Sequence, residues 1–341
     1  HSVGDQLIVK LANRLSKEFS FSDMVARLGA DEFLCMEENF STDIEIARNG
    51  AEVLGERLRD CISREIELGS HNYSLSASVG VVVFRKSQIN ADEILQYADT
   101  AMYESKRMGR NCVTMFRDEM ATQAAQLLQL ERDILKAMFR DEFFFELQPI
   151  VDSKTQKVVA AEALVRWKKG YEVIHPEEFI SFLEESTLIV EVGERILDKV
   201  CKYIGDVQSR GILPVDFRIA VNISAKQLAR VDFIETVCKV LDKHSVPASR
   251  IELEITESVA LNNMADTIKK IVKMKKMGFT FSLDDFGTGY SSLSHLKDLP
   301  VDKLKIDQSF VNDITIDRQD ENLVRSIIQL SKNLGLVTVA E

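Results

Sequence analysis

From Asn222 onward, short apolar runs that read as strands recur roughly every twenty to forty residues, and a polar residue stands at or near the end of each. That is the length of a βα unit in a parallel barrel, which brings the C-terminal ends of its strands to one rim. The pattern starts at Phe143, with candidate strands at 143–150, 158–166, 217–223, 250–255, 279–283, 303–306 and 337–340 separated by helical stretches. Read strand by strand, the polar ends are Glu162, Asn222, Glu254, the pair Asp284 and Asp285, Lys305 and Glu341. Each has an ordinary explanation alone. Glu254 sits in an alternating strand whose Glu252 faces outward, and Lys305 makes a salt-bridge partner. Six such coincidences at successive strand ends are improbable, and the set reads as a site.

The pair Asp284-Asp285 carries most of the chemistry. Residues 281–283 read as buried strand, and desolvating two adjacent carboxylates is costly unless a cation compensates. Gly287 and Gly289 permit a tight loop, so the strand is expected to end at the pair and aim both carboxylates into an open site. Turn chemistry with an Asx cap is the competing explanation of these residues. Together, the carboxylates and the amide suit one or two Mg2+ or Mn2+ ions, which activate water and stabilise the leaving oxygen of a phosphodiester. Zinc is not indicated, because the five histidines form no paired spacing and the five cysteines contain no CxxC.

With 341 residues, 45% hydrophobic and 28% charged, the chain suits two globular domains. The net charge of -11 disfavours binding to a nucleic acid polymer. An odd, scattered set of cysteines reads as reduced, buried thiols in a cytoplasmic protein. No apolar run is long enough to span a bilayer, so membrane attachment would need segments outside this chain.

The first part alternates differently. An amphipathic helix carries Leu7, Ile8, Leu11 and Leu15 on one face. Strands at 24–28 and 33–36 flank Gly29-Ala30-Asp31-Glu32, a hairpin tip with two carboxylates that reads equally well as a solvated turn. A helix over 47–66, a strand over 75–84 and a helix over 91–108 follow. Gly109 suits a helix C-cap, while Lys106 and Arg110 either complement the helix dipole or grip phosphate. A helix over 120–138 joins the halves, giving domains at 1–116 and 139–341 with a connector at 117–138.

Four segments of the first domain resemble the GGDEF family of diguanylate cyclases. They are His1-Ser2-Val3-Gly4-Asp5, Gly29-Ala30-Asp31-Glu32-Phe33, Ser78-Val79-Gly80, and Ala98 to Lys106 with Gly109-Arg110-Asn111. The resemblance implies that Asp5 contacts guanine, Asp31 a metal, Glu32 the reacting sugar hydroxyl, and Lys106 and Arg110 the phosphates of GTP. It also implies a homodimer. The departures point to a degenerate site. Ala30 replaces the second glycine at a tip where positive φ is common, and Ser20 replaces the arginine of the inhibitory RxxD, leaving Asp23. The chain also starts after the strand that supplies the family's first metal carboxylate. A regulatory module is therefore expected, with residual cyclase activity as an alternative.

The second domain resembles the EAL family of cyclic di-GMP phosphodiesterases. The resemblance rests on Gln148-Pro149-Ile150, Glu162-Ala163-Leu164-Val165-Arg166-Trp167, Asn222-Ile223-Ser224, Glu254-Ile255-Thr256-Glu257, Asp284 to Gly289, Lys305-Ile306-Asp307 and Val339-Ala340-Glu341. It implies that Glu162, Asn222, Glu254 and Asp284 hold one metal and that Asp284 and Asp285 share a second. Lys305 would orient the attacking water, with Glu341 as base or support. Gln148, Leu164 and Arg166 would contact the dinucleotide, and Glu257 would brace the loop after Asp285. The implied fold is α/β, a partial cyclase-like α+β domain followed by an incomplete (β/α)8 barrel. The implied activity is hydrolysis of cyclic di-GMP to linear pGpG, with a non-catalytic cyclic di-GMP receptor as the alternative. The family continues beyond Glu341, so this chain is expected to be a piece of a longer tandem protein and inactive by itself.

Overall fold

The computed structural model describes residues 3–18, 24–38, 41–69, 71–85, 90–212, 214, 216–261, 263–287, 293–312 and 314–341. Ser20, Asp23 and residues 288–292 lie outside them. The chain divides into two compact units, His1–Leu130 and Glu131–Glu341.

The first unit contains α1 (Val3–Glu18), β1 (Met24–Arg27), β2 (Phe33–Met36), α2 (Ile44–Ser63), β3 (Ile66–Leu68), β4 (His71–Tyr73), β5 (Val79–Val81), α3 (Ala91–Arg107) and β6 (Val113–Met115), and α4 (Asp118–Phe139) begins in it. Leu11 and Leu15 are buried against Leu58 of α2, with Val25, Phe33 and Cys35 packed around them. α2 starts three residues before the expected position because Asp43 caps it, accepting from the backbone of Glu45 and Ile46. The expected strand over 75–84 shortens to β5. Leu75 and Ala77 alternate with serines as in a half-buried strand, but a strand also needs a hydrogen-bonded neighbour, and the parallel pairing to β6 covers Val79 to Val81 only. Gly80 explains the close seat of α3, since a Cβ there would lie 2.2 Å from the Ala98 carbonyl.

The second unit is built on one eight-stranded sheet: β7 (Phe143–Val151), β8 (Val158–Lys169), β9 (Glu172–Ile174), β10 (Arg218–Asn222), β11 (Ile251–Thr256), β12 (Thr280–Phe286), β13 (Lys303–Ile306) and β14 (Val337–Ala340). Between the strands run α5 (Ile180–Glu185), α6 (Leu188–Ser209), α7 (Ala225–Ala229), α8 (Phe233–His244), α9 (Glu257–Leu261), α10 (Met264–Lys276), α11 (Leu293–Asp298), α12 (Gln308–Asn312) and α13 (Arg318–Leu334). The strand order β14-β13-β12-β11-β10-β8-β7 is parallel from β8 to β14, and the sheet curls into part of a barrel. β7 is the exception, running antiparallel to β8. The six residues joining them are too few for a parallel crossover and close instead around Asp152, which accepts from Thr155.

Two expectations about these strands are corrected. Glu252 faces inward and is 1% exposed, because residues two apart on a strand share a face and Glu254 already points in. β12 does not end before the acidic pair but runs through it to Phe286, with a register shift between Leu283 and Phe286. Among the cysteines, Cys61 and Cys201 are buried as expected while Cys35, Cys112 and Cys238 are half-buried, and all five are free. Burial pushes the thiol of Cys35 up to about 11 and that of Cys201 up to about 12. Among the described residues, no helix is long and apolar enough to cross a membrane.

Candidate functional site

The parallel register places the polar strand ends side by side. Asn222 lies opposite Glu254, Thr256 opposite Asp284, and Lys305 opposite Val339, two residues before Glu341. Side chains from β8, β11, β12 and the residue after β14 converge on the ammonium of Lys305 of β13, which is 2% exposed. Its Nζ lies 2.9 Å from Glu162 Oε2, 2.9 Å from Glu254 Oε2, 3.1 Å from Asp284 Oδ1 and 2.6 Å from Glu341 Oε1. Asn222 joins from β10, its Nδ2 donating to Glu162 Oε1 at 2.8 Å, which leaves Oδ1 as its remaining acceptor. Ser282 was not anticipated. Its hydroxyl donates to Glu254 Oε1 at 3.3 Å, and the only signal in the chain is that it stands two residues before Asp284.

Electrostatically the cluster is unbalanced. Burial by itself would lower the Lys305 ammonium, but Glu254, Glu162, Asp284 and Glu341 outweigh it and hold its proton firmly. Burial pushes the Glu254 carboxyl well up, and the neighbouring charge of Glu162 adds to this. Burial likewise raises Glu341, and Asp285 is raised by burial and then by Asp284 and Asp307. Glu162, Glu254 and Asp284 offer ligand atoms within 4.8 Å of one another, and so do Asp284, Asp285 and Glu341. Five carboxylates around one ammonium leave surplus negative charge, and an all-oxygen donor set of this kind fits a hard divalent cation.

Asp285 points apart from Asp284 through its backbone. It adopts φ 54°, a left-handed conformation that an aspartate tolerates better than most residues, and its amide donates to Asp284 Oδ1 at 3.1 Å. Gly287 follows at φ 107°, where a Cβ would meet the Phe310 ring at 2.9 Å. Asp307, quoted in the sequence motif without a role, hydrogen-bonds Asp285. Glu257 is buried at the start of α9, and its Oε2 finds no partner among the described residues.

The residues expected to contact a dinucleotide lie on the β7–β8 pair. Gln148 is exposed directly opposite Glu162. Leu164 is half-buried two residues on, and Arg166 donates through Nε to Glu146 at 2.8 Å.

In the first unit the hairpin tip is solvated. Asp31 and Glu32 are exposed, as are Asp5, Lys106 and Arg110. Neither Gly29 nor Ala30 adopts a positive φ, so the strain expected for Ala30 is absent; Arg27 instead donates to both their carbonyls, at 2.9 and 2.8 Å. Among the described residues, the groups able to hold a metal lie in the second unit.

Comparison with known proteins agrees with this division. The EAL domain family matches residues 131–341, and the family described as diguanylate cyclase, GGDEF domain, matches residues 1–112. The bifunctional diguanylate cyclase/cyclic di-GMP phosphodiesterase MucR of Pseudomonas aeruginosa is 35% identical over all of this chain and 49% of its own length. The cyclic di-GMP phosphodiesterase PdeR of Escherichia coli is 33% identical over all of this chain and 50% of its own. The chain therefore spans about half the length of these relatives. Among solved structures, the PaMucR phosphodiesterase in complex with c-di-GMP aligns with a TM-score of 0.59 at 37% identity, covering 62% of this chain and 85% of that one. The EAL enzyme Bd1971 bound to cAMP and cyclic-di-GMP aligns with a TM-score of 0.62 at 28% identity, covering 74% and 67%. The strand-end residues gathered around Lys305 thus belong to a chain of the EAL domain family, preceded by a GGDEF domain.

Proposed function

We propose that the second unit hydrolyses cyclic di-GMP to linear pGpG with two divalent cations, Mg2+ or Mn2+. The observation that carries this reading is the meeting of four carboxylates, from β8, β11, β12 and the residue after β14, within 3.1 Å of one buried ammonium. Two divalent cations and the ammonium balance the charge of Glu162, Glu254, Asp284, Asp285 and Glu341 completely, which one cation would not. Glu162, Asn222 through Oδ1, Glu254 and Asp284 would hold the first cation, and Asp284 and Asp285 the second. When bound, such a pair lowers the pKa of water and stabilises an oxyanion.

Lys305 keeps its proton and so acts as a donor, orienting the water for in-line attack on phosphorus. Glu341, raised by burial and hydrogen-bonded to Lys305, is placed to take the proton of that water. One new P–O bond forms, the bond from phosphorus to a 3′ oxygen breaks, and that oxygen leaves as a hydroxyl, which returns the proton taken from the water. Gln148, Leu164 and Arg166 would seat the dinucleotide beside Glu162. Glu257 would brace the loop after Asp285, and its unpartnered Oε2 supports that role.

The first unit serves in this reading as a regulatory module that offers GTP a site, in a cytoplasmic homodimer. Its exposed, unclustered Asp31 and Glu32 favour regulation over turnover.

The test is incubation of cyclic di-GMP with Mg2+ or Mn2+, using the chain extended at both ends and its Glu162→Ala variant. Linear product from the parent alone establishes the hydrolase. Binding of the dinucleotide without product in either cation replaces it with a receptor.

A further inference from the structure

We infer that Lys305 competes with the divalent cation for its ligands, and that Glu341 is the berth that holds the ammonium aside. This deepens the metal-centre reading above and rests on it. The oxygens are already committed within the protein. Glu162 accepts from Asn222 at Oε1 and from Lys305 at Oε2, and Glu254 accepts from Ser282 at Oε1 and from Lys305 at Oε2. A cation bound to both carboxylates shares an oxygen with the ammonium, displaces it, or crowds onto the Oε1 atoms that already accept from Asn222 and Ser282. Coordination distances of about 2.1 Å for Mg2+ would bring the two positive centres close, in a site with little water to screen them.

The side chain can yield although its strand cannot. Residues 303–306 are held between β12 and β14, but the ammonium sits on a flexible four-carbon stem and acts as a point charge. Of its four carboxylate contacts, Glu341 is the shortest at 2.6 Å and the most exposed, at 27% against 11% or less for the others. The Glu341 backbone is itself fixed, its amide donating to Ile306 O at 3.2 Å. An ammonium drawn toward Glu341 moves toward the rim and frees the oxygens of Glu162 and Glu254.

Lys303 supplies an internal control. It stands two residues earlier on the same face, carries the same charge and is paired with Glu252 instead of the ligand carboxylates.

The experiment is Mn2+ binding measured by calorimetry and by the paramagnetic resonance of free Mn2+, at mildly alkaline pH and without substrate. Competition predicts that Lys305→Met tightens Mn2+ binding by about ten-fold or more, since each such factor reflects a modest change in free energy. Glu341→Gln should weaken binding, because the ammonium falls back on Glu162 and Glu254. The double variant should match Lys305→Met, and the paired change Lys303→Met with Glu252→Leu, which leaves no unpaired buried charge, should change little. Equal or weaker binding by Lys305→Met, or equal tightening by the Lys303→Met and Glu252→Leu pair, overturns the inference. If Lys305→Met folds only with Mn2+ present, slower loss of Mn2+ to a chelator than in the parent supports competition, and equal or faster loss overturns it. A parent that binds no Mn2+ removes the metal-centre reading itself, which separates that failure from this one.

Discussion

Asn222 donates to Glu162 across the join between β10 and β8, at 2.8 Å between residues sixty apart in the chain. That bond fixes which oxygen of each side chain remains to face the site. Asn222→Asp should replace a donor by a second carboxylate and cost roughly 1–3 kcal/mol in urea denaturation, with part of the loss recovered in Mg2+. Equal losses with and without the cation would argue against a shared ligand position.

Below the site, Lys303 and Glu252 form a buried ion pair at 2.5 Å. Lys303→Met leaves Glu252 without its partner and should destabilise the second unit by about 3–5 kcal/mol, whereas adding Glu252→Leu should restore most of it. The fluorescence of Trp167, the only tryptophan of the chain, reports this unfolding. A double variant no better than the single would show that the pair itself matters.

Gly80→Ala tests the seat of α3. Its Cβ would fall 2.2 Å from the Ala98 carbonyl and 2.3 Å from the Met102 amide, both backbone atoms that can yield only by moving the helix. A loss of roughly 1–3 kcal/mol is expected for such overpacking. Thermal melting followed by circular dichroism measures it.

Asp198 on α6 gives a pH dependence. Burial raises its pKa, but hydrogen bonds from Lys243 and His244 on α8 outweigh burial and leave it lowered. A depressed carboxylate contributes stability that is present above its unfolded pKa and lost as pH falls through its folded one. Asp198→Asn should therefore be less stable than the parent at neutral pH, by under about 1 kcal/mol for a partly exposed pair. The two should converge in strong acid. A difference that persists there would assign the effect to packing.

The second unit was more legible than the first because barrel strands carry two independent signals, an apolar run and a polar terminus. Asn222, Glu254, Asp284 and Lys305 were visible at or near strand ends and Glu162 within its strand, and all meet within hydrogen-bonding reach. Ser282, Glu252 and Lys303 carried no such mark, since a polar residue inside a strand is equally compatible with facing solvent, while Asp307 stands just past β13, an end that Lys305 had already marked. In the first unit the alternating polar and apolar residues after Tyr73 predicted a longer strand than the pairing with β6 supports.

The sequence by itself determined the order of the elements, the family and the residue types available at each strand end, because periodicity and spacing are local properties of the chain. Only the tertiary structure decided that β7 runs against β8, that Glu252 is buried, and that the Lys305 ammonium sits among four carboxylates. Those facts depend on strand register and curvature, which bring together residues as far apart as Glu162 and Lys305. No local pattern encodes such a distance, because it arises from the summed twist of every strand between them.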